Sequence, residues 1–435
     1  MIVLFEDEHV VDLYPVTIGK PAYTISCGSY RLLDLALELA AQFGRRVHAA
    51  VRPHLREFRQ VEPPPAASAP RSETSVFINA RLAPSVQVLE TLKKVMSAGR
   101  PGIVLASDEF RGNREPQTTA VRGGAHADFE VAAALVPADA ALPPEDATAQ
   151  EIAAWWPKLK LARLDAPKLP LFDYPHDVIR HHLLSLPGNL EHRLASGHFR
   201  EIGEGVFAAE SAHLGQHVVT NSSQGPIVLD ERATVGPFCY LSGPAYLGPQ
   251  ARVIEQSALK DGVALGHTTK VGGEVEGSVI EPYTNKQHHG FLGHSYLGSW
   301  VNLGAGTCNS DLKNTYGPVN MEYHGRKVAT GMQFVGAIVG DYAKTAINTG
   351  IFTGKTVGAC SMVYGFVTTN VPSFTNYARL FGQVTEATVD VMVATQARMF
   401  ARRNVQQRSC DIQLLHDMYD LTRHERQIAG EPLSL

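Results

Sequence analysis

Residues 229–271 read LDERATVGPFCYLSGPAYLGPQARVIEQSALKDGVALGHTTKV. An aliphatic residue returns at every sixth position, and small residues mostly stand four positions after it. The aliphatic positions are Leu229, Val235, Leu241, Leu247, Val253, Leu259, Leu265 and Val271, and the small ones are Ala233, Cys239, Ala245, Ala251 and Ser257. A helix would show a period of 3.6 and a half-buried strand a period of two. A period of six instead predicts stacked coils with three flat faces, a parallel β-helix.

A second array with the same period follows at Val339, Thr345, Ile351, Val357 and Val363. We therefore expect the β-helix to occupy residues 201–371, with the aliphatic side chains inside and the small residues at the corners. A solenoid without any activity, acting as a spacer or lid, is the alternative. The polar segment between the two arrays argues against that alternative.

This polar segment, residues 285–316, reads NKQHHGFLGHSYLGSWVNLGAGTCNSDLKNTY. Its glycines follow aliphatic residues at short intervals, which predicts a tightly turned backbone that presents polar side chains. A histidine accepts a proton readily near neutral pH. We take His288 as the candidate general base, with His289 and His294 as rivals, and a purely structural histidine is the alternative in each case.

The other polar residues of the segment suit substrate binding. The amides of Asn302 and Asn309 can orient a polar ligand through hydrogen bonds, and Lys286 and Lys313 supply charge for a phosphate. The alternative for each lysine is a solvated coil edge.

Four further residues of the segment, Gly304, Ala305, Gly306 and Thr307, are predicted to bind the cofactor. The bare backbone at the glycines gives a developing oxyanion access to N–H groups and leaves room for an extended ligand along the coil. The same glycines also suit the turns of the coil, and both roles can hold together.

Residues 1–150 alternate apolar runs with segments of helical spacing, which predicts an α/β domain. The expected strands are 2–5, 45–51, 75–79 and 102–106, the expected helices are 30–43 and 86–96, and 62–72 is expected to be a loop. Ligands of such sheets bind beyond the carboxyl ends of strands. Lys20, Arg31, Asn79 and Arg81 are the candidates there for a nucleotide or sugar phosphate, and ordinary loop residues are the alternative.

The rest of the chain is predicted to be helical. Residues 151–200 form a connector, whose histidines His176, His181, His182 and His192 we place at the surface or between domains. Residues 372–435 carry two apolar stripes at helical spacing and are expected to cap the β-helix or to pack on another subunit. Arg398, Arg402 and Arg403 in this tail form either a solvated face or contacts to a nucleotide phosphate.

The overall composition excludes several classes of protein. The 435 residues carry a net charge of −4, which favours no nucleic-acid partner. No apolar run reaches the roughly 20 residues that span a bilayer, and the acidic N-terminus lacks the basic flank of a signal peptide. Five scattered cysteines without a CxxC pair suggest neither a disulfide framework nor a zinc site. We expect a cytoplasmic protein without a membrane partner.

Together the motifs resemble a known family. The repeat is similar to the left-handed β-helix acyltransferases. The polar segment resembles the acetyltransferase half of the bifunctional N-acetylglucosamine-1-phosphate uridylyltransferase/glucosamine-1-phosphate acetyltransferases. The matching residues are His288, Phe291, Gly293, the run NLGAGT at 302–307, Asn309 and Lys313, with fourteen positions from His288 to Asn302. A divergent branch of sugar nucleotidyltransferases is closer still, through PVTIGKP at 15–21, NAR at 79–81 and KVGGEV at 270–275.

This resemblance implies an α/β nucleotidyltransferase-like domain, a left-handed β-helix and a C-terminal helical tail. It implies transfer of an acetyl group from acetyl-CoA to an amino-sugar phosphate, for synthesis of a nucleotide sugar similar to UDP-N-acetylglucosamine. It also implies a homotrimer, and Mg²⁺ if the first domain turns over a nucleotide. Phe291 and Glu276 depart from the family's usual Tyr and Lys, and the first domain lacks a G-x-G-x-R signature. A sugar-nucleotide sensor, with the β-helix as a trimerisation scaffold, is the alternative.

Overall fold

The computed structural model describes residues 1–58, 74–109, 130–144, 147–195 and 197–428, so the predicted loop 62–72 lies outside the described residues. The chain divides into two compact units. The first comprises Met1–Leu13, Lys20–Ile25 and Tyr30–Tyr174, and the second comprises Tyr14–Gly19, Ser26–Ser29 and Pro175–Leu435. The first unit thus extends to Tyr174 instead of ending at the predicted residue 150, because the segment after 150 still packs on its sheet.

The first unit is built on one mixed sheet. Its strands are β1 Ile2–Phe5, β2 Val47–Ala50, β3 Ser75–Asn79, β4 Gly102–Leu105 and β5 Val131–Val136. The order is β2-β1-β3-β5-β4, in which β1 runs parallel to β2 and β3 while β5 runs antiparallel to β3 and β4. The four predicted strands are confirmed. The sequence analysis missed β5, because the alanine-rich run VAAALV has no strong β-forming signal.

Three helices accompany this sheet: α1 Leu32–Phe43, α2 Val86–Ala98 and α3 Ala149–Trp155. Helix α2 begins at Ser85, whose hydroxyl accepts a hydrogen bond from the Val88 N–H at 3.2 Å. Helix α1 ends at Gly44, where φ is 62°, a conformation that favours glycine. The predicted short helix after residue 150 is confirmed. Short 3₁₀ segments lie at Glu8–Leu13, Ala22–Thr24, Pro53–Phe58 and Trp156–Leu159.

Helix α4, Asp177–Leu194, belongs to the second unit. Of the four histidines predicted to lie at the surface or between domains, His176, His181 and His182 are buried. His182 lies inside because both ring nitrogens have backbone partners. Nδ1 accepts the Gly28 N–H at 3.0 Å, and Nε2 donates to the Gly262 carbonyl at 2.8 Å.

The second unit contains the predicted parallel β-helix, which has three faces. Face 1 is one sheet of nine strands: Arg200–Gly203, Val206–Ala208, Ile227–Leu229, Ala245–Leu247, Val263–Leu265, Val279–Ile280, Tyr296–Leu297, Ala337–Val339 and Lys355–Val357. Face 2 comprises His213–Leu214, Thr234–Val235, Arg252–Val253, Lys270–Val271, Asn285–Lys286, Lys344–Thr345, Met362–Val363, Thr375–Ala378 and Gln383–Glu386. Face 3 comprises Val219–Asn221, Tyr240–Ser242, Ala258–Lys260, Glu274–Glu276, Phe291–Gly293, Cys308–Asn309, Gly350–Ile351 and Phe366–Val367.

The six-residue period describes the interior of this β-helix correctly. All eight aliphatic residues of the first array are at most 1% exposed. The small residues four positions later are buried as well, as the corner positions require. Neighbouring strands pair in parallel register with one coil between partners, for example Val253 with Val271. The six-residue repeat in the sequence therefore corresponds to burial of the same position on every face of every coil.

The β-helix ends later than predicted. Thr375–Ala378 pairs in parallel with Met362–Val363, and it then forms an antiparallel pair with Gln383–Glu386. Pro372 therefore does not end the ladder, because it lies in the connection before the last parallel strand.

Helices α5 Val389–Ala401, α6 Ser409–Leu421 and α7 Arg423–Ile428 follow the β-helix and confirm the predicted helical tail. A short 3₁₀ segment lies at Arg379–Phe381, and an antiparallel hairpin, Asn320–Tyr323 with Arg326–Ala329, leaves the coils between the two arrays. Within the described ranges, no helix combines the length and apolar character needed to cross a bilayer.

Candidate functional site

The polar segment folds onto consecutive coils. Asn285 pairs with Asn302 and Asn302 pairs with Lys344 on face 2, so that residues far apart in sequence become neighbours. His288 and His289 lie in a bend between two strands, and both are exposed. The two histidines therefore lie outside the extended strands, where neighbouring side chains would alternate between faces.

Lys286 does not lie where a phosphate ligand would need it. Its side chain is almost completely buried, and its ammonium donates to the carbonyls of Gly272, His288 and Gly290 at 2.6, 2.8 and 2.7 Å. All three N–H donors are used within the protein, so a phosphate would have to replace one of these carbonyls. Burial lowers the pKa of Lys286 to about 8, while the three carbonyls favour its charged form. The hydrogen bonds of Lys286 stabilise the bend in which His288 is exposed.

Asn309 is also structural. Its side-chain oxygen accepts the Gly293 N–H at 2.9 Å, and its amide nitrogen donates to the Gly293 carbonyl at 3.0 Å. The buried side chain thus replaces a pair of ladder hydrogen bonds between coils. Asn309 would therefore have to give up these hydrogen bonds to contact a substrate as predicted.

Thr307, predicted to bind the cofactor, is buried in the same way. Its hydroxyl lies 2.7 Å from that of Thr345 and 3.2 Å from the Ala346 carbonyl. It therefore joins two coils and presents no hydroxyl at the surface.

The backbone at residues 304–306 is closely packed. The Gly304 N–H donates to the Thr345 carbonyl at 3.2 Å, and the Gly306 N–H donates to the His289 carbonyl at 3.1 Å. Among the described residues, the Ala305 N–H has no backbone acceptor. A side chain at Gly304 would meet the backbone of the next coil at 2.6 Å, so stacking of the coils requires this glycine. Of the three backbone N–H groups predicted to stabilise the oxyanion, only that of Ala305 is not already donated to a backbone carbonyl of the described residues.

Two of the predicted substrate-binding residues remain accessible. Asn302 is exposed, and its side-chain oxygen lies 3.5 Å from the Asn285 amide nitrogen. Lys313 is half-buried, and its ammonium donates to the Pro318 carbonyl at 2.8 Å. Both can therefore turn toward a ligand without leaving a buried group unsatisfied.

A second histidine site was missed by the sequence analysis. His294 Nδ1 lies 2.8 Å from Asp311 Oδ2, and the His294 ring stacks on Phe334 with centroids 5.2 Å apart. Glu276 lies near this pair, and burial raises the pKa of its carboxyl group. His294 was considered as a base, but Asp311 was not. Their separation of 17 residues, the length of one coil, is the signal that would have paired them.

In the first unit, two of the predicted site residues, Asn79 and Arg81, belong to a closed hydrogen-bond network at the end of β1 and β3. Arg81 is fully buried, and Asp7 binds it through both Nε and Nη2 at 2.8 Å. Nη1 reaches the Phe172 carbonyl at 2.7 Å and Asp173 at 3.2 Å, and Nη2 also contacts Glu130. All five guanidinium donors are used within this network, so a phosphate would have to replace one of these partners to bind Arg81.

The other predicted residues of this unit differ in their availability. Asn79 is buried, donates to Asp7 at 2.7 Å and accepts the Arg81 N–H at 3.0 Å, so it too is structural. Arg31 Nη2 donates to Asp34 at 2.6 Å and fixes the start of α1. Lys20 is half-buried and remains a candidate.

The carboxylates of this network face the Arg81 guanidinium. Burial by itself raises the pKa of Asp7, but the charge and hydrogen bonds of Arg81 outweigh it and lower the pKa. Across the described part of the chain, no group of three His, Cys, Asp or Glu side chains is placed to hold a metal ion. Because Mg²⁺ often takes only one or two protein carboxylates together with substrate phosphates, the expectation of Mg²⁺ stays a prediction.

Comparisons with known proteins relate the chain to sugar nucleotidyltransferases and acetyltransferases. Residues 2–191 match the family model described as sugar nucleotidyl transferase. The bifunctional protein GlmU of Methanococcus vannielii is 31% identical over 119 residues, which are 27% of this chain and 28% of that protein. The bifunctional sugar-1-phosphate nucleotidylyltransferase/acetyltransferase of Sulfurisphaera tokodaii is 28% identical over 156 residues, which are 35% and 39% of the two chains. The matches thus span well under half the length of these relatives.

A search of solved structures finds the UDP-N-acetylglucosamine acyltransferase of Francisella novicida, at 13% identity and a TM-score of 0.32 over 51% of this chain and 88% of that one. Part of the chain thus resembles the bifunctional sugar-1-phosphate nucleotidylyltransferase/acetyltransferases, and its residues 2–191 match the sugar nucleotidyl transferase family.

Proposed function

We propose that this protein is a sugar-phosphate N-acyltransferase that uses acetyl-CoA, joined to a sugar-1-phosphate nucleotidyltransferase-like unit, and that it serves nucleotide-sugar synthesis of the UDP-N-acetylglucosamine type. The supporting observation is the bend at His288. The buried Lys286 ammonium stabilises this bend through hydrogen bonds to the carbonyls of His288 and Gly290. The exposed His288 imidazole therefore lies beside the coil that carries Ala305. The relatives' names indicate the same chemistry.

In the proposed reaction one proton moves from the amine to the leaving thiolate by way of His288. The neutral amine of the acceptor attacks the thioester carbonyl, a C–N bond forms, and the C–S bond breaks. His288 takes the proton that the amine loses and returns it to the leaving thiolate, which departs as a thiol. The Ala305 N–H is the donor for the oxyanion of the tetrahedral intermediate. Asn302 and Lys313 orient the sugar and its phosphate.

The assembly and location are also part of the proposal. Five large apolar side chains of the β-helix and its last turns are at least half exposed: Ile347, Phe352, Phe366, Leu380 and Phe381. Exposed apolar side chains of this size favour packing against another copy, and we propose a homotrimer in the cytoplasm. Nucleotide and amino-sugar phosphate are the proposed small-molecule partners. Any Mg²⁺ would enter with the nucleotide phosphates, since the described residues form no metal site.

An assay of thiol release tests the acyltransferase proposal. The full-length protein is mixed with acetyl-CoA and, in turn, with amino-sugar 1-phosphates, amino-sugar 6-phosphates and the same sugars without phosphate. Release that depends on both the amine and the phosphate is expected. Release at the background rate with every amino sugar, from a protein that still binds acetyl-CoA, would contradict the proposal.

A further inference from the structure

Cationic side chains lie at the same register position on neighbouring strands of face 2 of the β-helix. Arg252 and Lys270 are direct partners in neighbouring parallel strands. The next strand places Asn285 beside Lys270 in the same register. Strands in such a ladder lie about 4.8 Å apart, so these three side chains line a short strip two coil steps long.

The end of helix α5 brings two more cations to this strip. Arg402 and Arg403 directly follow the helix, and Arg403 Nη2 donates to Asn285 Oδ1 at 2.7 Å. The hydrogen bond fixes the Arg403 guanidinium next to Lys270. We call Arg252, Lys270, Arg402 and Arg403 the basic patch.

The charges of the basic patch repel one another without compensation. Burial lowers the pKa of Lys270, and the charges of Arg403, Arg252 and Arg402 lower it further. Burial and the neighbouring Arg402 likewise lower the pKa of Arg403. Among the described residues, no carboxylate forms an ion pair with any of the four. Four cations held together in this way favour an anionic ligand.

Aromatic rings lie at the coil corner that borders this strip. Tyr283 stacks on Trp300 with centroids 4.2 Å apart and planes 6° apart, and His267 meets Tyr283 edge-on at 4.9 Å. Phe400 of α5 covers the Trp300 ring at 4.6 Å. His267 is exposed and Tyr283 is partly exposed, so the open end of this aromatic column lies two or three residues before Asn285 and Lys270.

We propose that the basic patch and the His267–Tyr283 corner bind a nucleotide with at least two phosphates. The patch offers charge for a diphosphate or for separate phosphates on one nucleotide, and the corner offers a ring on which a base can stack. The strip is about 10 Å long, which suits one nucleotide and not a nucleic-acid strand. The ligand is either the nucleotide part of coenzyme A or a free nucleoside diphosphate. The site stands apart from the proposed acyl chemistry, because none of its residues takes part in that reaction.

Calorimetry of the full chain without metal tests this site, with coenzyme A, ADP, UDP and pyrophosphate as probes. The double variant Arg252→Gln/Lys270→Gln is compared with the control Arg326→Gln/Lys327→Gln, which removes the same charge from the exposed hairpin. We expect at least tenfold weaker nucleotide binding by the first variant and unchanged binding by the control. Coenzyme A bound tighter than ADP assigns the site to the acyl donor, whereas equal affinity for ADP and UDP assigns it to free nucleotides.

Three results would overturn the inference. One is that the unmodified protein binds none of the four probes. Another is that both double variants lose affinity equally. A third is that pyrophosphate binds as tightly as the nucleotides, which would remove the role of the aromatic corner. Thiol release can fail while nucleotide binding persists, so this site and the acyltransferase proposal are judged separately.

Discussion

His294 Nδ1 lies 2.8 Å from Asp311 Oδ2, and both side chains are mostly buried, at 14% and 13% exposure. A carboxylate that orients a histidine is a common feature of general bases. His288, in contrast, is exposed, and no ring partner is found for it within the described residues. The two histidines therefore compete for the catalytic role, and activity measurements can distinguish them.

We expect His288→Ala to lower thiol release by about 10²–10⁴-fold, because loss of a general base has that effect. His289→Ala and His294→Asn are expected to cost less than tenfold. The glycines and Lys286 hold the bend, so all three variants should stay folded and bind acetyl-CoA. A dead His294→Asn with an active His288→Ala would transfer the role of base to the His294–Asp311 pair.

Lys286 and Lys313 are expected to behave in opposite ways. Lys286→Met leaves three carbonyls without their cation and should lower the free energy of unfolding by about 2–4 kcal/mol. Lys313→Met removes only a partly exposed contact, so it should leave the stability nearly unchanged and raise the KM for the phosphorylated acceptor. Urea unfolding and steady-state kinetics measure the two effects. Equal stability of both variants would show that the carbonyl contacts of Lys286 contribute nothing.

Arg81→Met should be strongly destabilising, by about 3–5 kcal/mol, because it leaves Asp7, Glu130 and Asp173 together without their shared cation. Arg31→Met serves as the control, since Arg31 and its partner Asp34 are partly exposed, at 39% and 30%. Chemical unfolding followed by fluorescence measures both. An Arg81→Met variant as stable as the unmodified protein would return Arg81 to the list of ligand-binding candidates.

Acid should destabilise the second unit through His182. Burial lowers the pKa of His182 to about 4 from 6.5, although its hydrogen bond to Gly262 acts in the opposite direction. The unfolded chain therefore binds more protons between these two values, and stability falls as the pH drops from about 6.5 toward 4. The loss amounts to something on the order of 3 kcal/mol.

The comparison for this prediction is between His182→Gln and the exposed His198→Gln. The first variant should show a flatter dependence of Tm on pH in that window, whereas the second should follow the unmodified protein. Parallel pH profiles for all three proteins would exclude His182 as the source of acid sensitivity.

Assembly can be tested through the exposed apolar side chains. Light scattering should give a mass about three times the 47.2 kDa of one chain. Phe366→Asp places a charge on the exposed edge strand of face 3 and should shift the protein toward the monomer, because burying an unpaired carboxylate at an interface is costly. A stable monomer of the unmodified protein at micromolar concentration would rule out the homotrimer.

Local pattern accounts for most of the fold. In a β-helix every coil buries the same position, so the period of Leu229, Val235 and the residues after them can be recognised without knowing any long-range contact. The same holds for β1, α1 and α2, whose burial follows strand or helix periodicity. The patterns failed where the signal was weak or absent, as in the alanine-rich β5 and at the end of the coils after Pro372.

The candidate site was predicted less completely than the fold. The motif alone brought His288, Asn302 and Lys313 to attention, and all three are accessible. It could not show that Lys286, Asn309 and Arg81 lie inside, because their partners come from other coils or strands and burial of a polar group depends on those partners. Asp311 was missed for the same reason, and so was the position of Arg252 and Lys270 beside Arg402 and Arg403. Side chains one coil apart in sequence, or separated by a helix, become neighbours only when the coils stack.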